Sequence, residues 1–413
     1  MKFNKKSLFF ITILGIIIFI SYLKYIIYPT CWQAGYTHCA AIGQDFFALY
    51  QAGYNIFHNI FVYGKSGGLS LVTPYFMFFK YFPITPFVWG IPTLVFSSAM
   101  NAYYGYLVFS ILLHIASIYL IVKISKKLKA QTYQIVFAIF IWLTYFSLTS
   151  EWRMGQFNHL AGMFLLGAVG AEIFSNKILS ALAWILSLSW KPQAIFVAFY
   201  FWLTKNKLAI SLFFLLFILF TTGYLAYFQT QNIPAFQEFF KNILVLENHH
   251  AWQVGYIDNF SVNAFWGQIF YPTNPKLYYF VSKSWSIFII FMLFWSTWKS
   301  SKNIYNLNSR IYLLLFTAVS MSLFHKEVWE SHLTFWLPTL ITLLLITKNK
   351  KEWFFILICS LILASPTTFY YYSIYKLEWL KTLMIGMKVL PQLALYCYLI
   401  RKISTKKPYK FPY

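Results

Sequence analysis

An acidic residue in an aromatic setting is the first candidate for chemistry in this sequence. The stretch "GQDFFALYQAG" (43–53) contains Asp45, in a chain with only 10 Asp and Glu among 413 residues. An ionised carboxylate beside a membrane is costly unless it has a task. A carboxyl group in a lipid-lined cleft has a raised pKa, which suits a general base that removes a hydroxyl proton. The alternative is that Asp45 caps the N-terminus of the helix that follows it.

A lysine beside a proline is the second candidate. Lys191 lies in "SWKPQ" (189–193), where two short apolar runs meet. An ammonium group at such a junction requires a partner, and a phosphate diester is an anion of suitable charge. Snorkelling of the side chain to the membrane interface is the alternative.

Three polar residues precede another apolar run in "WRMGQFNHL" (152–160). At the start of a helix, free N–H groups and the helix dipole both favour anions. We therefore predict that Arg153, Gln156 and Asn158 bind phosphate or sugar hydroxyls. Helix capping is the alternative for Asn158.

Two histidines and two glutamates occur close together in "HKEVWESH" (325–332). Helical spacing would put His325 and His332 two turns apart on one face, where they could bind phosphate or sugar, or orient the base. A solvated loop explains the same charges equally well.

The other histidines and the cysteines give little support to a metal site. Adjacent histidines in "ENHHAWQ" (247–253) would point in different directions on a helix, and neither Asp-x-Asp nor Cys-x-x-Cys occurs. We predict no metal and no cofactor. Cys31 and Cys39 could form a disulfide in an oxidising compartment or remain free thiols, and the sequence leaves both possibilities open.

The composition indicates which elements position these residues. Hydrophobic residues make up 60% of the chain and charged residues 10%, with a mean hydropathy of +0.60. Long runs such as 7–23 and 209–228 are apolar on all sides, which is typical of membrane helices rather than of soluble ones. We therefore predict an all-α polytopic membrane protein, and we interpret the first run as a retained span rather than a cleaved signal peptide.

The net charge of +23 is distributed in short basic clusters between the apolar runs. This pattern follows the positive-inside rule and does not indicate nucleic-acid binding. With the clusters in the cytosol, about twelve spans place both termini there. The predicted spans are 8–28, 102–122, 134–150, 158–175, 178–190, 192–204, 208–228, 281–298, 311–324, 333–347, 353–369 and 382–400.

Two of these spans are too short for a lipid bilayer. The runs 178–190 and 192–204 are each near 20 Å as helix, against a hydrocarbon core of roughly 30 Å. We predict a broken or re-entrant pair that meets at Lys191. The proline-rich stretch 81–92 is predicted to form helices on the membrane surface.

This topology forms a single membrane domain over 1–413 with two large outer loops, 29–101 and 229–280. It also concentrates acid and base groups on the outer side. Seven of the eight histidines and eight of the 10 acidic residues face outward. The acidic ones are Asp45, Glu151, Glu238, Glu247, Asp258, Glu327, Glu330 and Glu378.

Several outward segments together resemble one family. "GQDFFALYQAGYNIFHNIFVYG" (43–64), "WRMGQFNHL", "SWKPQ", "DNFSVNAFWG" (258–267) and "ESHLTFWLP" (330–338) are similar, in this order, to segments of glycosyltransferase family 87. Its members are polyprenyl-phosphate-mannose-dependent α-mannosyltransferases of the GT-C fold. The sequence departs from the family pattern at Gln193, where proline is usual, and at 262–264, where a glycine is missing.

The resemblance implies a fold, a reaction and site residues. It implies that Asp45 is the general base of an inverting, metal-independent transfer of a hexose from a polyprenyl-phosphate donor, and mannose is the family's sugar. His332 joins Asp45 as a predicted catalytic residue, and Asn259 joins Lys191, Arg153, Gln156, Asn158 and His325 as predicted substrate-binding residues. The acceptor would be a lipid or glycan at the outer face of the cytoplasmic membrane.

Two other functions remain open. A lipid or glycan transporter or flippase is also polytopic, but transporters tend to place charged sites at mid-membrane and to contain inverted repeats. A polysaccharide polymerase or ligase would share the large outer loops, but we would expect it to use outer arginines, and Arg153 is the only one here.

Overall fold

The computed structural model describes residues 4–27, 42–58, 60, 62, 72–74, 85–227, 259–301, 304, 306–366 and 378–405. Within these ranges every regular element is a helix, and no strand occurs. The sequence prediction of an all-α protein is confirmed for this part of the chain. Cys31, Cys39, Asp258 and the histidines of "ENHHAWQ" lie outside the described residues.

The helices follow one another along the whole described chain. Their bounds are α1 Lys5–Ile27, α2 Gln44–Phe57, α3 Thr85–Val95, α4 Ala99–Lys127, α5 Thr132–Thr144, α6 Ser147–Met154, α7 Asn158–Ile173, α8 Lys177–Trp190, α9 Val197–Leu203, α10 Lys207–Tyr227, α11 Val262–Phe270, α12 Pro275–Ser300, α13 Leu307–Phe324, α14 Leu337–Ile346, α15 Lys350–Ala364 and α16 Glu378–Ser404. Two 3₁₀ helices, Pro192–Phe196 and Glu330–Trp336, precede α9 and α14.

Six of the described helical segments are long and apolar enough to cross a membrane. The protein is therefore membrane-embedded and polytopic. In the part of the chain that the structure describes, each predicted span is mostly helical, but a full set of twelve crossings remains a prediction. The six segments are Lys5–Lys24, Ala99–Lys127, Thr132–Met154, Pro275–Ser300, Leu307–Phe324 and Thr382–Ser404.

The centre of the bundle is formed by helices that are buried on all sides. Every residue of α14 is buried, and α7 packs against α4, α8, α13 and α14. Peripheral helices are the opposite: α1 and α12 expose large apolar side chains such as Phe10 and Phe291. A soluble protein would bury such surfaces, so lipid is the environment that they fit.

The predicted break at "SWKPQ" is confirmed. Helix α8 ends at Trp190, Lys191 has an extended backbone, and Pro192 begins the 3₁₀ turn that leads into α9. Proline lacks the N–H that would continue α8, and the residue before proline is biased to extended conformations. The break turns Lys191 out of both helices and into the protein.

Candidate functional site

The N-terminus of α2 is fixed by a glycine and not by an acidic cap. Gly43 is the N-cap residue, with a left-handed φ of 70°, and its N–H donates to the Arg153 carbonyl oxygen over 2.7 Å. Asp45 is the second residue of the helix, so the hypothesis that it is the N-cap is wrong. Its half-buried side chain is instead directed to the turn between α6 and α7.

That turn requires a glycine for two reasons. Gly155 has φ 67°, and a Cβ atom added to it would lie 2.5 Å from the Cβ of Phe46. Two tyrosines of α4 hold the same turn: Tyr103 Oη donates to the Trp152 carbonyl over 2.8 Å, and Tyr106 Oη donates to the Gln156 carbonyl. The first turn of α2 therefore packs directly on the turn that presents Gln156.

Gln156 connects the predicted base to the predicted phosphate ligand. Its Nε2 donates a hydrogen bond to Asp45 Oδ2, and its Oε1 accepts one from Lys191 Nζ over 2.9 Å. Three residues that are far apart in sequence thus form one continuous side-chain contact. The sequence had predicted all three as site residues, but not the order in which they are joined.

Lys191 is buried, with only 7% of its surface exposed. Its ammonium group is bonded inside the protein, so the alternative of snorkelling to the interface is wrong. Burial lowers the pKa of Lys191, and the nearby carboxylates of Asp45 and Glu151 oppose that shift. A buried ammonium close to acids is suited to binding an anion, because little water competes for it.

A buried carboxylate behind Gln156 caps the start of α7. Glu151 Oε1 accepts from the backbone N–H of His159 over 2.8 Å, and Oε2 accepts from Asn158 Nδ2 over 3.1 Å. Asn158 is the first residue of α7 and has no capping bond of its own, so the capping hypothesis for Asn158 is wrong. Its Nδ2 also donates to Gln156 Oε1 over 3.3 Å, and its Oδ1 accepts from Gln193 Nε2 over 3.0 Å.

The two predicted histidines meet, but not on one helical face. His325 follows the end of α13, and His332 lies in the 3₁₀ helix, with an irregular segment between them. Their ring centroids are 6.1 Å apart, and the Nδ1 atoms lie 2.7 and 3.2 Å from the same carbonyl oxygen, that of Glu327. The expectation of a shared helix face is wrong, because α13 ends before His325 and an irregular segment separates it from the 3₁₀ helix that contains His332.

His332 lies close enough to Lys191 for the charge of the lysine to affect its pKa. Burial lowers the pKa of His332, and the positive charges of Lys191 and His325 lower it further. His332 is therefore a neutral imidazole at neutral pH, able to donate one hydrogen bond and accept one.

Asn259 makes hydrogen bonds to backbone atoms of the irregular segment 325–329, here called the histidine loop. Its Oδ1 accepts from the N–H groups of Ser261 and Val328, and its Nδ2 donates to the Lys326 carbonyl, all over 3.0 Å. These bonds fix the loop that leads to His332. Substrate binding by Asn259 stays a prediction.

Arg153 contributes a backbone contact to the site through its carbonyl oxygen, which accepts from both Gly43 and Tyr103. Its guanidinium group stays a predicted ligand for phosphate or sugar. Sequence reasoning did not assign a role to Glu151 or Gln193. Glu151 could have been found, because an acidic residue just before an apolar run must be hydrogen-bonded if it is buried.

An aromatic row borders the site. The ring centroids of Phe46 and Tyr106 are 5.4 Å apart, those of Tyr106 and Phe157 are 5.2 Å apart, and those of Phe157 and Trp190 are 5.8 Å apart. The row extends from the residue after the aspartate to the residue before the lysine. Phe46, Tyr106 and Phe157 are buried, so they pack against the polar residues and hold them in place, and Trp190 is partly exposed.

No protein-family model, curated protein sequence or solved structure matches this chain. Within the described ranges, no group of three or more His, Cys, Asp or Glu side chains is arranged to hold a metal ion. The interpretation of the site therefore depends on its own geometry and on the sequence motifs.

Proposed function

We propose that this protein is a GT-C-fold glycosyltransferase of family 87 with about twelve spans. It transfers a hexose, mannose in the family's pattern, from a polyprenyl-phosphate donor to a lipid or glycan acceptor. The reaction takes place at the outer face of the cytoplasmic membrane, with both termini in the cytosol. The observation that supports this best is the contact chain from Asp45 through Gln156 to Lys191.

In this reaction the acceptor hydroxyl oxygen attacks the anomeric carbon of the sugar while the bond from that carbon to the phosphate oxygen breaks. Asp45 takes the hydroxyl proton, and polyprenyl phosphate leaves with the electron pair. The buried ammonium group of Lys191 favours the negative charge that develops on the leaving phosphate. The product has inverted configuration, because a single displacement occurs.

The donor's chemistry agrees with the surroundings of the site. A polyprenyl chain is held in the bilayer, so the protein requires no nucleotide-binding domain, and the sequence has no G-x-x-x-x-G-K-[ST] motif. Trp190, the partly exposed ring beside Lys191, provides apolar surface for the first isoprenoid units or for a sugar face.

The direct test is incubation of purified protein in lipid nanodiscs with synthetic polyprenyl-phosphate mannose and a native membrane lipid extract. We expect a new mannosylated species by mass spectrometry, together with release of polyprenyl phosphate. The Asp45→Asn protein is the matched control and should form neither product. Uptake of the donor into sealed vesicles without any transfer would instead favour a flippase.

The proposed orientation has a separate test. Single cysteines at Thr273 and Lys127, both exposed positions, lie on opposite sides of the membrane in this topology. A membrane-impermeant thiol reagent added to intact cells should label the first and not the second. Labelling of the Lys127 position from outside would reverse the orientation and move the site to the cytosolic face.

A further inference from the structure

The contacts around Gln156 all run in one direction, from donor to acceptor. Lys191 Nζ and Asn158 Nδ2 both donate to Gln156 Oε1, and Gln156 Nε2 donates to Asp45 Oδ2. The two ends of a glutamine amide are similar in shape, so only its partners decide which end faces which.

Lys191 decides the orientation of the Gln156 amide. A protonated lysine has three N–H donors and no acceptor, so the atom that faces it must be the amide oxygen. The NH₂ group is then left to face Asp45, where it requires an acceptor. Oδ2 of Asp45 must therefore be an oxygen without a proton, and the hydrogen bond holds this oxygen in a fixed orientation.

We propose that Gln156 is a positioning residue, through which Lys191 fixes the orientation of the Asp45 carboxyl group. The catalytic role of Asp45 in this inference rests on the proposed function, whereas the hydrogen bonds that orient it do not. The proposal changes the predicted role of Gln156 from binding substrate to holding the base. It also explains why the turn at Gly155 is packed so closely on the start of α2: the amide must reach both partners at once.

Hydrogen bonds of Asn158 support the same orientation of the Gln156 amide. Gln193 Nε2 donates to Asn158 Oδ1, so the NH₂ group of Asn158 faces Glu151 and Gln156. Both oxygens of Glu151 accept hydrogen bonds, from Asn158 Nδ2 and from the His159 N–H, which gives the same polarity at this end. Glu151 and Gln193 are thus positioning residues that act on Asp45 through Asn158 and Gln156.

The experiment exchanges the amide and the carboxylate between positions 156 and 45 and measures the melting temperature with no substrate present. Gln156→Glu places a second carboxylate against Asp45 and removes the donor, so we expect the melting temperature to fall by about 5 °C. In the double variant with Asp45→Asn, the new amide donates to the new carboxylate, which still accepts from Lys191. We expect the double variant to recover to within about 1–2 °C of Asp45→Asn alone.

Gln134→Glu is the matched control. Gln134 is also buried, and its Nε2 donates to the carbonyls of Leu344 and Thr347, at the other end of the segment Thr132–Met154. Its effect should be the same with and without Asp45→Asn, because distant substitutions are additive.

The proposal is overturned if Gln156→Glu lowers the melting temperature equally in both backgrounds, or if it lowers it in neither. If Gln156→Glu alone does not accumulate as folded protein, recovery of folded yield in the double variant supports the proposal, and failure of both variants overturns it. Thermal unfolding is measured without the sugar donor. A protein in which positions 45 and 156 are coupled, but which has no transferase activity, would therefore refute the proposed function and leave the contact chain intact.

A kinetic measurement distinguishes positioning from substrate binding. Gln156→Met removes both amide contacts without adding charge. A positioning role predicts that kcat falls by about 10-fold or more while the donor KM changes little. A rise in the donor KM at constant kcat would return Gln156 to substrate binding.

Discussion

Two buried lysines in this protein have opposite kinds of partner. Lys388, in α16, donates to the carbonyls of Leu363 over 2.7 Å and of Ser365 over 2.5 Å, at the C-terminal end of α15. Lys191 donates to a side-chain amide that in turn holds a carboxylate. Backbone carbonyls at a helix end cannot move away, so Lys388 is a helix cap. Side-chain partners can rearrange around a ligand, which makes Lys191 the candidate for anion binding.

Removal of the Asp45 carboxylate, which is joined to Lys191 through Gln156, should have the largest effect on activity. Asp45→Asn keeps an oxygen that accepts from Gln156 but cannot take a proton. We expect transferase activity to fall by about 10² to 10⁴ with little change in melting temperature. Glu352→Gln is the matched control, because Glu352 pairs with Arg401 and Lys402 away from the site and should keep full turnover. Near-normal activity of folded Asp45→Asn would remove Asp45 from the chemistry.

Substitution of the two lysines should separate their roles directly. Lys191→Ala should weaken use of the donor more than Lys191→Arg does, since the arginine keeps a positive charge near the phosphate. Lys388→Met leaves carbonyl acceptors unpaired and should cost about 1–3 kcal/mol of stability, while activity per folded molecule stays the same. Steady-state kinetics and thermal unfolding of the same preparations measure both. Unchanged kinetics for the sugar donor in both Lys191 variants would mean that Lys191, like Lys388, has only a structural role.

The turn at Gly155 presents Gln156 to Lys191, and its conformation should also contribute to stability. Gly155→Ala requires a left-handed alanine and brings a methyl group onto Phe46, so we expect a loss of about 1–3 kcal/mol. Gly167→Ala, in the middle of α7, is the control, since its nearest contact would be an ordinary 3.6 Å from Ala183. Thermal unfolding compares the two. Equal stability of both variants would mean that the turn adapts without strain.

The smallest expected effect is the pH dependence contributed by His332. Its pKa is lowered in the folded protein, so the unfolded state binds its proton first. Stability should therefore decrease as the pH falls below about 6.5, the ordinary histidine value, and be fully present above it. His332→Gln should make this decrease shallower, as measured by melting temperature from pH 8 to pH 5. An identical slope in the variant would contradict the buried, neutral state of His332.

The histidine loop marks the limit of local sequence patterns. Spacing predicted that His325 and His332 would share a face of one helix. They do meet, but across an irregular segment, where both rings contact the Glu327 carbonyl. Asn259, 66 residues before His325, fixes that segment by a hydrogen bond to the Lys326 carbonyl. Helical periodicity has no information about a loop whose shape depends on hydrogen bonds from a distant segment.

The sequence alone determined the helices and the break between α8 and α9. Runs that are apolar on all sides produce membrane helices, and Pro192 interrupts one of them because it cannot donate a backbone hydrogen bond. The sequence also selected Asp45, Gln156 and Lys191 as candidates, because polar groups among apolar neighbours require partners.

Only the tertiary structure decided how those candidates are joined. Asp45 and Gln156 are separated by 111 residues, and their contact depends on the close approach of the first turn of α2 to the turn at Gly155. The direction of the hydrogen bonds was equally hidden, because an amide takes its orientation from the groups around it. A donor-only lysine on one side and a carboxylate on the other set that orientation, and packing alone brings them to the same glutamine.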